Sequence, residues 1–449
     1  MIVFKRRLLF WLVKAYLKRW GKAILFFFIL GLIVFFLLRS TVTLLVAQFF
    51  AGNRQTIGLV GSYTIDTIPL SIIEDISSGL TSVSEDGTVI PKVASSWVIS
   101  DNGKTYTFSL RHNVHFTDGT LLTSREIQPS FADATITRPD AYTITFHLKD
   151  TYAPFLITAS HPILKNGFIG LGDYKMQNIK LNGLFIQSIT LVAKNKTQDF
   201  KIYQFYPTND ALKVALALGE ISVADNLSDD EFKNTTFSHF PNMNVHKKVM
   251  YNQVVTVFYN TQDKVLSDKK LRDGLSYALP NVFPDGERAY SPISPKLWAY
   301  TVASPHTQDL AHAKLLLGSS IGASTPPTLT LDTLPKYEKI AEKVAHAWSA
   351  IGIKTKIVTV DSAPQEFQIF LGEYDLPMDP DQYSLWHSYQ QNNITNYRSV
   401  RIDKLLEDGR KTTDRQDRVR IYADFQKYLL DDQPATFLFY PYAFTISRK

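Results

Sequence analysis

The chain contains no cysteine. That excludes structural disulfides, thiolate metal sites, a cysteine nucleophile and lipid attachment through an N-terminal cysteine. It leaves the compartment open, since a cysteine-free chain suits either side of a membrane. Acids are missing from the first fifty residues, which hold eight bases: Lys5, Arg6, Arg7, Lys14, Lys18, Arg19, Lys22 and Arg39. The formal charge of +6 therefore belongs to one end, because 48 bases less those eight leaves 40 against 42 acids in the rest. A nucleic-acid reading of the basic balance loses its support. Catalytic patterns are absent too. There is no G-x-S-x-G and no H-E-x-x-H, so a secreted hydrolase lacks its nucleophile and base. His112 and His115 have a metal-like spacing but no further ligand beside them in the sequence.

What is present is a chain of 449 residues, 45% apolar, enough for two or three domains. Residues 1–22 are basic and amphipathic and read as a cytoplasmic N-terminus. Residues 23–38 are sixteen uninterrupted apolar residues. Extended to residue 50, with Arg39 able to snorkel, they are long enough to span a bilayer as one helix. The bases ahead of this run place the N-terminus inside and the bulk of the chain outside, as a single-pass cell-membrane protein. A cleaved signal peptide is the alternative, although its apolar region is normally shorter and no small-x-small site precedes Gly52.

The stretch 90–131 organises the remainder. It reads as a short helix signal, two strands around a turn, and a second helix start. Asp101, Asn102 and Gly103 suit the positive φ of a tight turn. Thr105, Thr107 and Ser109 alternate with Tyr106, Phe108 and Leu110, the period of a half-buried strand. Thr123 or Ser124 reads as a helix N-cap. Further on, two β-α-β units are legible. One joins strands at 200–205 and 221–225 through a helix at 209–220 that stops at Gly219. The other joins 328–331 and 354–360 through a helix at 337–351 that stops at Gly352. Residues 434–440 read as a buried strand.

The same stretch resembles the signature region of the family 5 extracellular solute-binding proteins, the oligopeptide- and dipeptide-binding components of ABC importers. Pro91, Ala94, Trp97, Ser100, Gly103, Thr105 to Phe108, Leu110, Arg111, Val114, Phe116, Asp118, Gly119 and Thr123 match it in register. Similar blocks recur at Tyr152 to Leu156, in the helix after Leu266, in the helix ending at Gly352, and in the closing helices up to Tyr428. Where relatives have a G-T-G-P-Y loop, this chain has Gly170-Leu171-Gly172-Asp173-Tyr174 and keeps only the Gly and Tyr.

The resemblance implies an α/β fold of the two-lobed periplasmic-binding-protein type, type II with an extra subdomain, preceded here by one transmembrane helix at 23–50. Lobe I is expected over 55–250, with 76–178 as its outer subdomain. Lobe II is expected over 251–425, and residues 426–449 return to lobe I. The implied function is not enzymatic and needs no cofactor. The protein captures a peptide between the lobes by hinge closure and hands it to an ABC permease and its ATPase subunits. A receptor for another solute, such as a sugar or a nickel complex, and a surface sensor without a transporter are the alternatives. The acidic loop around Asp379-Pro380-Asp381 is the chemically suggestive part, with Glu373 and Asp375 just before it. By the resemblance, Asp375 and then Asp379 are candidates for a peptide's free amine, with a helix-cap role open for Asp379. Trp298, Tyr383 and Trp386 are candidates to line the cleft, with core packing open for each.

Overall fold

The computed structural model describes residues 10–31, apart from 12, 13, 17 and 24, and residues 54–449, apart from 129–132, 166, 196–198, 302–306 and 322–325. Its architecture is two-lobed α/β, and the last strand, Ala435–Arg448, ties the lobes together. The first half of that strand pairs with Gln253–Tyr259. Its second half pairs with Met243–Val249 and Val223–Leu227. Two half-sheets thereby become one sheet of twelve strands. The chain crosses between lobes at residues 249–253 and again at 440–442. The two crossings are joined by the Met250 N–H, which donates to the Pro441 carbonyl at 2.8 Å.

In the first lobe, Arg54–Val60 lies parallel to Phe200–Tyr206 and to Val223–Leu227. The helix Asn209–Leu218 is the crossover between the last two. Thr208 caps its start by accepting the Ala211 N–H, and Gly219 ends it at φ 84°, a left-handed value that a side chain would resist. In the second lobe, Thr328–Thr333 and Lys354–Thr359 are parallel around the helix Glu338–Ser349. Gln253–Tyr259 is buried on both faces. Val255, Val257 and Tyr259 join one core, while Val254 and Phe258 join the other. An apolar strand with no polar face fits the middle of a covered sheet.

An outer sheet of four strands runs in the order Ala94–Ser100, Thr105–Leu110, Thr143–Leu148, Ala134–Asp140. Tyr106, Phe108 and Leu110 are buried as their alternation implies. Phe155 packs on Tyr106 and Phe146, with ring centroids 4.6 and 5.2 Å apart. The turn forms as read, with Asn102 at φ 54° and Gly103 at φ 83°. Both helix signals flanking it do not form. Residues around 90 belong to the strand Val89–Pro91, paired with Thr81–Val83, and the next strand follows at once. Ser124 caps no helix; its hydroxyl donates to the Asp140 carbonyl at 2.6 Å. Sheet pairing supplies these backbone groups with partners that a short helix would lack.

Residues 10, 11, 14–16, 18–23 and 25–31 are helical. Most of the expected span, from residue 32 onward, lies outside the described residues. Among the described residues no helix is long and apolar enough to cross a membrane.

Asp332 is buried on Thr328–Thr333, and burial raises its pKa. Such a carboxyl favours the folded state while protonated. Its contribution is present below the unfolded value, about 3.9, and is lost as pH rises through the folded value. Asp332→Asn is expected to raise stability at neutral pH and to flatten that limb of the stability curve. Urea denaturation from about pH 4 to 8 measures both.

Candidate functional site

The outer subdomain and the second lobe meet along a line of contacts. The Ala153 N–H donates to the Arg410 carbonyl at 2.7 Å, and the Trp298 N–H donates to the Asp86 carbonyl at 3.2 Å. Arg415 donates to the Thr88 hydroxyl at 3.3 Å. Gly87 lies so close to Leu297 and the Met378 carbonyl that a Cβ would meet each at 2.8 Å. Between these contacts lies a cavity of about 640 Å³ with walls from both lobes. Asp150, Thr151, Tyr152 and Phe155 stand on the first-lobe side; Tyr383, Glu407, Arg410 and Lys411 stand on the other. The volume falls in the range of roughly 300–1,000 Å³ typical of small-ligand sites.

Local structure explains the second wall. The strand Ile369–Asp375 ends in the acidic loop, which turns into the short helix Tyr383–Trp386. The helix Val400–Lys411 starts at Ser399, whose hydroxyl caps Ile402, and delivers Glu407, Arg410 and Lys411 from successive turns to one face. Arg410 is the central group. Its Nε donates to Asp381 Oδ2 at 2.7 Å. Its guanidinium lies 4.0 Å from the Tyr383 ring centre and 5.5 Å from that of Tyr152. A cation held between two aromatic faces, one from each lobe, couples the lobes without a direct ion pair between them. Burial raises the pKa of Asp381 against the pull of Arg410. Burial also raises that of Tyr152, helped by the Asp381 charge.

Behind this wall, Arg418 holds Asp379 through both of its terminal nitrogens, one at 3.1 Å. Burial opposes the Arg418 charge, but the Asp379 carboxylate outweighs it and the pKa rises. The Trp298 ring lies 5.2 and 5.3 Å from the guanidinium carbons of Arg415 and Arg418.

Of the five side chains expected in the cleft, Tyr383 is on the cavity wall. Trp298 is half-buried at the contact of the lobes. Asp379 is 6% exposed, and its two oxygens are engaged by Arg418 and the Asp381 N–H. Trp386 is 2% exposed; its indole N–H donates to Gln382 at 2.9 Å and its ring meets Phe437. The short helix turns its indole inward, to the core beneath the loop. Asp375 is exposed at the end of its strand, where Gln253 donates to it at 3.0 Å beside the first crossing. Sequence reasoning did not name Arg410 or Tyr152 as site residues, and it named Asp381 only as one acid of the suggestive loop. Each sits inside a block that carried the resemblance, but nothing local marked them as meeting across the lobes. Among the described residues no group of three His, Asp or Glu can hold a metal ion. His112 packs against the Tyr142 ring with centroids 4.0 Å apart and planes tilted by 46°, and His115 bonds the Asn113 carbonyl.

The family model for bacterial extracellular solute-binding proteins, family 5 Middle, matches residues 88–135 and 127–396. A probable D,D-dipeptide-binding periplasmic protein of Escherichia coli is 25% identical over 77% of this chain and 78% of its own. The oligopeptide-binding protein AppA of Bacillus subtilis is 25% identical over 87% of this chain and 86% of its own. Among solved structures, NikZ of Campylobacter jejuni, in complex with Ni(L-His), superimposes with a TM-score of 0.74 at 20% identity, covering 88% of this chain and 94% of that one. That likeness is one of fold.

Proposed function

Because this chain belongs to the family 5 bacterial extracellular solute-binding proteins, we propose that it is the extracytoplasmic receptor of an ABC importer and takes peptides between its lobes. The observation that carries this reading is the cavity walled by both lobes, with two strand crossings to act as its hinge. The names of relatives that bind dipeptides and oligopeptides support the peptide class. Tyr383 and Tyr152 offer flat faces to a ligand. Asp375, exposed beside the crossing, is the acceptor for a peptide amine. Trp298, Asp379 and Trp386 brace that wall from behind.

The reading extends to the membrane. The apolar side chains of residues 25–30 are all exposed, which suits a segment surrounded by lipid. Residues 23–50 then anchor the receptor, basic end inside. A tether raises its effective concentration at a permease in the same membrane.

The test is a thermal-shift screen of the full chain in nanodiscs against di- to oligopeptides, sugars and nickel–histidine. A peptide at about 100 times its dissociation constant stabilises the fold by about 2.7 kcal/mol. Stabilisation by sugars or nickel–histidine but not peptides would keep the fold and overturn the substrate. Asp375→Ala is expected to weaken peptides with a free amine about 10- to 100-fold, the worth of one charged hydrogen bond, and to leave N-acetylated peptides unchanged. Calorimetric titration separates the two.

A further inference from the structure

The antiparallel hairpin of Tyr174–Asn182 and Phe185–Ala193 closes one end of the large sheet, and Tyr174–Asn182 is its edge strand. The hairpin turn has Gly183 at φ 63° in the first of its two central positions. Such a turn needs the glycine and makes no apolar demand on the residue after it. Yet position 184 is leucine, 81% exposed, flanked by Leu181 at 45% and Phe185 at 52%. The chain leaving the first strand passes beside this tip, where the Ile186 N–H donates to the Tyr63 carbonyl at 2.7 Å. Ile65 and Leu70, just beyond Tyr63, are exposed as well. Lysines on an edge strand are a common guard against pairing with another chain. Three large apolar side chains at the tip do the opposite and call for a cover.

Charge gives the chemistry of that cover. Residues 174–198 hold Lys175, Lys180, Lys194 and Lys196 and no acid. Lys175 and Lys180 are exposed on the edge strand, and Lys180 adjoins Leu181. Apolar side chains beside lysines complement a surface that is apolar within and anionic at its face. Chain length gives the position. On the membrane placement proposed above, only residues 51–53 separate the anchor from Arg54, a reach of about 15 Å at full stretch. The strand Arg54–Val60 is in register, through Phe200–Tyr206, with Phe185–Ala193, and it runs toward the tip. Arg54 and the tip are therefore about 30 Å apart. A first lobe whose strands lie along the bilayer brings both to it.

We propose that the tip formed by Leu181, Leu184 and Phe185 docks into a lipid surface with anionic headgroups, with Lys175 and Lys180 set against the phosphates. This rests on the membrane placement above and adds to it a second point of contact. A tether alone leaves the first lobe free to turn. A tether and a docked tip fix its orientation and leave the second lobe to move about the two crossings.

The absence of cysteine makes the test direct. The full chain with Asn182→Cys, labelled with a nitrobenzoxadiazole fluorophore, is reconstituted into vesicles of phosphatidylglycerol and phosphatidylcholine that contain spin-labelled lipid. A second protein carries the label at Val282→Cys, a position 79% exposed in the second lobe. The tip label is expected to be quenched at least about threefold more than the control label. Leu184→Ser with Phe185→Ser, two exposed positions whose exchange leaves the cores intact, is expected to remove that excess. Lys175→Gln with Lys180→Gln is expected to shift the docking equilibrium about fivefold per lysine, and omission of phosphatidylglycerol to shift it in the same direction. Equal quenching at the two labels, or quenching unchanged by the serine pair, would overturn the proposal. So would a tip label shielded from aqueous iodide but not quenched by lipid, which would place the tip against protein. An alkaline carbonate wash tests the anchor separately: a chain that washes off has no spanning helix, whatever its tip label reported before the wash.

Discussion

Arg418→Met is expected to lose about 3–5 kcal/mol of folding stability, among the largest effects of any single exchange in this protein. The reason is the charge left behind. Asp379 and Arg418 have side chains 9% and 8% exposed, so water cannot replace the lost guanidinium. Arg418 also donates from Nε to the Gly409 carbonyl at 3.1 Å, which fastens the helix Arg415–Asp432 to Val400–Lys411. Asp379→Asn is expected to cost less, because its amide still bonds the Asp381 N–H and keeps the packing. Combining the two removes both charges, and the double variant is expected to be more stable than the sum of the single losses by more than about 2 kcal/mol. Urea denaturation of the four proteins gives that coupling directly. Strict additivity would mean that the pair does not act as a pair. The same variants test a direct role in amine binding. Asp379→Asn that folds and binds peptide with unchanged affinity would restrict Asp379 to bracing the loop.

Arg410→Ala is expected to act on binding and stability together. It leaves Asp381, whose side chain is 6% exposed, without its counter-ion, and it removes the cation from between Tyr152 and Tyr383. A loss of about 2–4 kcal/mol follows from the stranded carboxylate. Loss of the cation lowers peptide affinity by at least about tenfold, since the closed arrangement of the lobes loses one of its links. Arg410→Lys distinguishes the two effects. It keeps the charge near Asp381, and so most of the stability, but not the planar group between the rings. Unaltered ligand-induced stabilisation in both variants would remove Arg410 from the binding site.

The pH dependence of Asp381 has the sign of a carboxyl whose pKa is raised by burial. Its contribution is full below the unfolded value and falls as pH rises through the folded one. Arg410 opposes this burial cost, so Arg410→Ala is expected to steepen the loss toward neutral pH.

Much of the architecture was legible in single elements. The alternation of Tyr106, Phe108 and Leu110 required one buried strand face, and they form it. Gly219 and Gly352 stop their helices with φ of 84° and 90°. The block from Pro91 to Thr123 pointed to the family, and the family model includes it. The failures were local signals overruled by distant partners. Thr123 and Ser124 resemble a helix start, but the Asp140 carbonyl takes the Ser124 hydroxyl. The segment 372–375 holds a glycine and two acids, which are poor strand formers. It is strand because Gln253–Tyr259 lies beside it and pairs with its backbone.

The site divides along the same line. The sequence by itself determined the family, the β-α-β units, the basic apolar N-terminus and the concentration of acids before Tyr383. Composition, periodicity and motif order hold that information, and it survives without coordinates. Only the tertiary structure decided which acid is engaged and which is open. Asp379 and Asp381 are two residues apart, yet each is held by a different arginine, 39 and 29 positions further on. Asp375, four residues earlier, is left exposed beside the crossing. The physical reason is that a carboxylate's role depends on what desolvates it and what charge faces it. Both are set by chain segments far away in sequence.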